Sequence, residues 1–222
     1  MEIGFWQQRW QEDQTGFHMS EVNEYLSRYW SAINAPGVST QAPPSVFVPL
    51  CGKSLDLVWL AAQAGTVIGV ECSEKAVTAF FEEQQLAMQS GTQGAFNCYT
   101  GANITLYQGD FFALDKAMLQ DVSAVYDRAS LVALPEAMRQ RYIEKLADVL
   151  PQTVSILLIS LEYDQQKMTG PPFSVSDDEV QRLYKPFFNV EQLEARDIID
   201  NEPRFRDRGL DYMIERVYKI FR

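Results

Sequence analysis

The chain has 222 residues, 46% of them apolar, enough to bury a substantial core in one large domain or two small ones. Its 30 acidic against 19 basic side chains give a net charge of −11, which argues against sequence-independent binding to nucleic acid or to anionic membranes, both of which rely on clustered Lys and Arg. A single histidine, His18, and three cysteines without a CxxC pair (Cys51, Cys72, Cys98) argue against a His-based metal centre, a zinc site, a Ser-His-Asp triad or a disulfide framework.

No apolar run approaches the roughly 18–20 residues of a membrane span. The N-terminal stretch MEIGFWQQRWQED reads as amphipathic rather than as a signal peptide, so the expected location is the cytoplasm. Two helices are predicted over 2–11 and 20–33, in a region carrying Trp6, Trp10, Phe17, Tyr25, Tyr29 and Trp30. Strands follow at 45–50, 66–71, 104–108, 122–126 and 155–161, separated by helices at 53–64, 74–89 and 134–149, the last with Pro135 in its first turn. This alternation predicts an α/β fold with a parallel sheet flanked by helices. Residues 162–176 are dense in turn formers, a short helix starts at Ser176 or Asp177, and two β-like runs at 188–198 and 210–220 close the chain. Five parallel strands with a closing antiparallel hairpin match the Rossmann-like, seven-stranded mixed sheet of class I S-adenosylmethionine-dependent methyltransferases.

The tripeptide Gly52-Lys53-Ser54 after the first strand suggests a phosphate-binding P-loop. That motif needs a glycine five positions earlier, where Phe47 stands, and Pro49 has no N–H to offer a phosphate. The GxGxxG fingerprint is absent too. What remains is a strand, a tight turn with one glycine, a helix and a second strand ending in Glu71. Gly52 and Glu71 have the spacing that sets a carboxylate on a ribose diol in doubly wound sheets. A turn that need not wrap a diphosphate favours a nucleoside without phosphates, of which S-adenosylmethionine is the common example. Plainer alternatives are an ordinary turn glycine and a solvated strand-end carboxylate. Lys53 and Ser54 are expected to begin the helix, with Lys53 solvated.

Four stretches, FWQQRWQEDQTGFH (5–18), VFVPLCGKSLDLVWLAAQAGTVIGVECSEKAVTAFF (46–81), VYDRASLVALP (125–135) and EYDQQKMTGPPFSV (162–175), closely resemble the thiopurine S-methyltransferase family in its bacterial form, and the resemblance covers nearly the whole chain. It implies one methyltransferase domain over 1–222. Residues 1–35 would cap the cofactor, and 162–176 would form a lid over the acceptor. It implies S-adenosyl-L-methionine as cofactor, with Trp10, Leu50, Gly52, Glu71, Asp110, Phe111 and Arg128 as its contacts. Phe17 and Trp6 would meet the substrate, and Arg204, with Arg208 as second candidate, would stabilise a thiolate. The partner implied is a small-molecule thiol, while the acidic charge balance points away from nucleic acid and membranes and suits a monomer.

Several of these positions keep simpler readings. Trp6 and Trp10 can form a plain apolar helix face, Gly109-Asp110 an ordinary turn, Asp127–Arg128 a turn salt bridge, and His18 a structural or surface residue. Gly170-Pro171-Pro172-Phe173 lies after the fifth strand, not the fourth, and so is not the (D/N)PP(Y/F) motif of amino-methyltransferases. The loop PRFRDRGLD is more basic and less aromatic than the mammalian pattern. Other readings are a methyltransferase of the same fold acting on selenium or tellurium species, halides or other small acceptors in detoxification, a non-catalytic nucleotide-binding module, and an NAD-linked oxidoreductase.

Overall fold

Short runs rich in Val, Ile, Leu and Phe place the sheet at the centre of the molecule. The computed structural model describes residues 3–14, 18–33 and 45–222. Nine strands, β1 (Ser45–Val48), β2 (Thr66–Glu71), β3 (Gln89–Gln93), β4 (Phe96–Gly101), β5 (Ile104–Gln108), β6 (Val122–Arg128), β7 (Ser155–Glu162), β8 (Asn189–Asp197) and β9 (Ile214–Phe221), pair in the order β3-β4-β5-β2-β1-β6-β7-β9-β8. Pairing is parallel from β5 through β2, β1 and β6 to β7, and antiparallel in the two outer pairs on each side.

Seven of these strands form the expected core, and β3 and β4 extend it as a hairpin. The helix expected over 74–89 is corrected: α4 (Glu74–Glu83) stops six residues short and the chain turns into β3. All five β3 residues are exposed, so β3 lacks the alternation that marks a strand. Its turn to β4 is closed by Gly94 at φ +58°.

Helices cover both faces of the sheet. Along β1, Phe47 packs on one side and Val46 and Val48 on the other, as a period of two requires. Phe47 joins α5 (Glu136–Val149) and α6 (Asp177–Tyr184) through Tyr142, Ile143, Leu146, Val180 and Tyr184. Val46 and Val48 join α2 (Glu24–Ile33), α3 (Asp56–Gln63) and α4 through Leu26, Trp30, Leu57, Leu60 and Phe80. Ser73 and Ser176 cap α4 and α6, each hydroxyl accepting a backbone N–H. A third, smaller apolar cluster, which includes Met168, Ile198, Phe205 and Met213, lies around the short α7 (Pro203–Arg206). Among the described residues, no helix is long and apolar enough to cross a membrane. The parallel strands deliver their carboxyl ends, at residues 49–52, 71–73, 109–111 and 128–130, to one edge of the sheet.

Candidate active site

The turn after β1 is the tightest part of that edge. Leu50 and Gly52 both take positive φ, 45° and 54°. A Cβ at Gly52 would stand 3.1 Å from the Trp10 ring, so glycine lets α1 (Ile3–Gln11) lay its buried indole on the backbone. The turn is pinned at both ends. The Cys51 N–H donates to the Val70 carbonyl at 3.0 Å, and the Ser130 hydroxyl donates to the Pro49 carbonyl at 2.8 Å.

Glu71 reaches under the turn from β2 and is 5% exposed. One of its oxygens accepts from the Gly52 N–H at 3.0 Å, and the other from the Ser73 N–H at 2.8 Å and the Cys72 thiol at 3.3 Å. Burial raises its pKa, and these donors partly oppose the rise. The same carboxylate borders the cavity, on the side where a ligand would lie.

At the end of β6, alternation separates two neighbours. Asp127 is fully buried beneath the sheet, accepts from the Tyr142 hydroxyl at 2.7 Å, and has its pKa pushed up to about 6 by burial. Arg128 turns the other way, 3.9 Å from the buried Asp56. Asp56 itself accepts from the Asn23 N–H and the Tyr126 hydroxyl, each at 2.9 Å. A turn salt bridge between Asp127 and Arg128 is therefore not formed, because adjacent strand residues face opposite sides.

Across from this edge, α7 carries Arg204 and Arg206, and Arg208 follows two residues after its end. Arg204 pairs with Glu202 at 3.0 Å, with its guanidinium 4.7 Å from the Phe205 ring centroid. Arg208 lies 5.9 Å from the same centroid. Arg206 pairs with Asp200 and does not line the space between α1 and α7. That space is a cavity of about 400 Å3 bordered by Trp10, Glu71, Arg128, Arg204, Arg208 and Pro172, among others.

The full sequence, residues 1–222, matches the thiopurine S-methyltransferase (TPMT) family. Two thiopurine S-methyltransferases are close in sequence along their whole lengths: that of Azotobacter vinelandii, 48% identical over 223 residues, and that of Xanthomonas axonopodis pv. citri, 47% over 222 residues, with 100% of each chain covered. The chain belongs to this family. It is an S-adenosylmethionine-dependent methyltransferase. In three dimensions it is similar to the 1,6-didemethyltoxoflavin-N1-methyltransferase of Burkholderia thailandensis, solved with bound S-adenosylhomocysteine, with a TM-score of 0.65, 12% identity and coverage of 99% of this chain and 87% of that one. At that identity the likeness shows the class I methyltransferase fold and nothing finer.

The residues of this thiopurine S-methyltransferase family member fit the cofactor. A glycine without Cβ under an indole, a buried carboxylate at the cavity wall and a guanidinium at the next strand end match the nucleoside, diol and carboxylate of S-adenosylmethionine. Trp6, Trp10, Leu50, Gly52, Glu71, Arg128, Arg204 and Arg208 all line the cavity. Asp110 and Phe111 do not: the Asp110 carboxylate caps the Phe112 N–H at 2.9 Å, and the Phe111 ring is spent in the core against Tyr142. Phe17 lies outside the described residues.

Two expectations about Lys53 are corrected. Lys53 is not solvated and does not begin a helix: its side chain is 18% exposed, pairs with Glu83 at 2.5 Å and lines the cavity, and α3 starts at Asp56. His18, expected to be structural or at the surface, is partly buried and borders the cavity, with its pKa lowered by burial and then by Lys53 and Arg128. Its place beside Phe17 was the available signal. Sequence reasoning missed Asp56 and Glu215, which also line the cavity. No local motif marks either one, because α3 and β9 bring them together only in the fold.

Proposed function

We propose that this enzyme methylates the sulfur of small aromatic or heterocyclic thiols, among them thiopurines, the one acceptor for which its relatives are named. The observation that carries the reading is the pairing, across one cavity, of the Trp10–Gly52–Glu71 cradle with two arginines on an apolar wall. S-adenosylmethionine, when bound, supplies an electrophilic methyl group, for which a thiolate is a good nucleophile. Trp10, Leu50, Gly52, Glu71 and Arg128 hold it.

Arg204 lowers the pKa of the acceptor thiol by opposing charge, so that sulfur enters ionised without a dedicated base. Phe205, Ile198 and Met213 exclude water from that end, and Trp6 completes the acceptor side. Residues 1–35 act as a cap and 162–176 as a lid; Pro171 and Pro172 border the cavity, and the Phe173 N–H is tied to the Val132 carbonyl at 2.7 Å. The chain works as a cytoplasmic monomer on small molecules, without nucleic acid or membrane as a partner.

The test has two halves. Calorimetry is expected to give S-adenosylhomocysteine binding near 1:1, weakened at least about tenfold by Glu71→Ala, which removes charge-assisted hydrogen bonds. A labelled methyl donor offered with thiopurines, thiophenols, halides, selenite and tellurite is expected to mark the thiols. Arg204→Ala is expected to lower turnover most below the acceptor's thiol pKa. Unchanged turnover in that variant across pH 6–9 removes the thiolate role.

A further inference from the structure

The three arginines around α7 differ in what they pair with. Arg204 and Arg206 each have an acidic partner, Glu202 and Asp200. Among the described residues Arg208 has none, in a chain with 30 acidic against 19 basic side chains. Its hydrogen-bond contact is the Met168 sulfur at 3.6 Å, a weak and neutral acceptor. The backbone beneath it is fixed, with the Arg208 N–H on the Phe205 carbonyl at 3.1 Å and the Gly209 N–H on that of Arg206 at 2.8 Å. The exposed side chain thus borders the cavity beside a ring and a thioether, with no carboxylate on its donors among the described residues.

The surroundings suit an anion attached to a flat apolar group. Phe205, Ile198 and Met213 offer the flat wall. Two guanidiniums lie near one ring, and Glu202, an acid lining the same cavity, is paired with Arg204. Glu215, also at the cavity, is held toward its neutral form by burial. Guanidinium and carboxylate are matched in shape as well as in charge, and a planar fork selects a planar anion.

We propose that Arg208 is a specificity determinant that receives a carboxylate carried on the acceptor's ring, so that the enzyme prefers aromatic thiols bearing a carboxylate to their neutral counterparts. The inference rests on the thiol-transfer reading above, and it adds the substituent the acceptor carries. Arg204 acts on the sulfur and Arg208 on the far end of the same molecule.

The experiment compares the 2-, 3- and 4-mercaptobenzoates with the matching mercaptobenzamides, by kcat/KM and by calorimetric binding to protein saturated with S-adenosylhomocysteine. For at least one isomer the acid is expected to exceed the amide by about tenfold, in line with a charge-assisted but part-exposed pair. Arg208→Gln is expected to bring that ratio close to one, and Arg208→Lys to keep part of it. Because the ratio is taken within one protein, a general loss of activity cancels. Equal acid and amide values in the wild type, or an undiminished ratio in Arg208→Gln, overturns the proposal. A binding preference lost in Arg208→Gln without methylation of any thiol supports the carboxylate site and overturns the thiol-transfer reading instead.

Discussion

Gly52 shows how a single backbone angle decides a ligand site. At φ +54° it occupies the left-handed region, and a methyl group there meets the Trp10 indole at 3.1 Å. Gly52→Ala therefore combines backbone strain of about 1–3 kcal/mol with displacement of the ring that closes the cradle. The expected outcome is a lower melting temperature together with an S-adenosylhomocysteine Kd raised at least about tenfold. Trp10→Ala is expected to raise the Kd similarly, since it removes the same wall without backbone strain. Equal affinity in Gly52→Ala and the wild type would mean that the indole does not close on the ligand. Glu71 was legible from its spacing to Gly52, because a parallel βαβ unit fixes where the second strand ends. Lys53 was not, because nothing local tells a solvated lysine from one folded back onto Glu83.

At the scale of elements, β6 carries two residues that alternate between core and cavity. Buried Asp127 titrates near 6, whereas an aspartate in the unfolded chain titrates near 3.9. Between those values the folded state holds a proton that the unfolded state has released. Stability from this group is thus fully present below about pH 4, falls as pH rises through 6, and is constant above. Asp127→Asn keeps an oxygen to accept from Tyr142 and does not titrate. The expected result in urea unfolding at pH 4, 5, 6 and 7 is that the variant gains on the wild type by an amount on the order of 3 kcal/mol across the range. A gap that does not change with pH would show that Asp127 does not titrate there. The interior strands were legible because both faces are buried, so they read as continuous apolar runs. The β3–β4 hairpin was not, since β3 is polar and wholly exposed and its identity comes from pairing with β4.

Over the whole molecule, the cap and the sheet are joined unequally. α2 is part of the core, contributing Tyr25, Leu26, Trp30 and Ile33 to the apolar layer over β1 and β7. α1 is attached differently. Exposed contacts tie it and the residues just after it to the β2–α4 region: Lys75 to Asp13 at 2.6 Å and to the Gln11 carbonyl at 3.3 Å, and the Gln7 side chain to the Cys72 carbonyl at 3.4 Å. Exposed pairs of this kind contribute about 0–1 kcal/mol, so they position the helix more than they stabilise the fold. The buried area that α1 does contribute is the Trp10 face, which covers the cavity rather than a core cluster. A chain lacking residues 1–14 is therefore expected to keep its far-ultraviolet circular dichroism and to melt within about 5 °C of the full chain, since about 1 kcal/mol shifts a protein of this size by roughly 2–4 °C. The same chain is expected to lose at least about tenfold in S-adenosylhomocysteine affinity. Removal through residue 33 takes away the α2 layer and is expected to abolish cooperative unfolding. If the shorter deletion binds S-adenosylhomocysteine as tightly as the full chain, α1 is packing on the site without forming part of it.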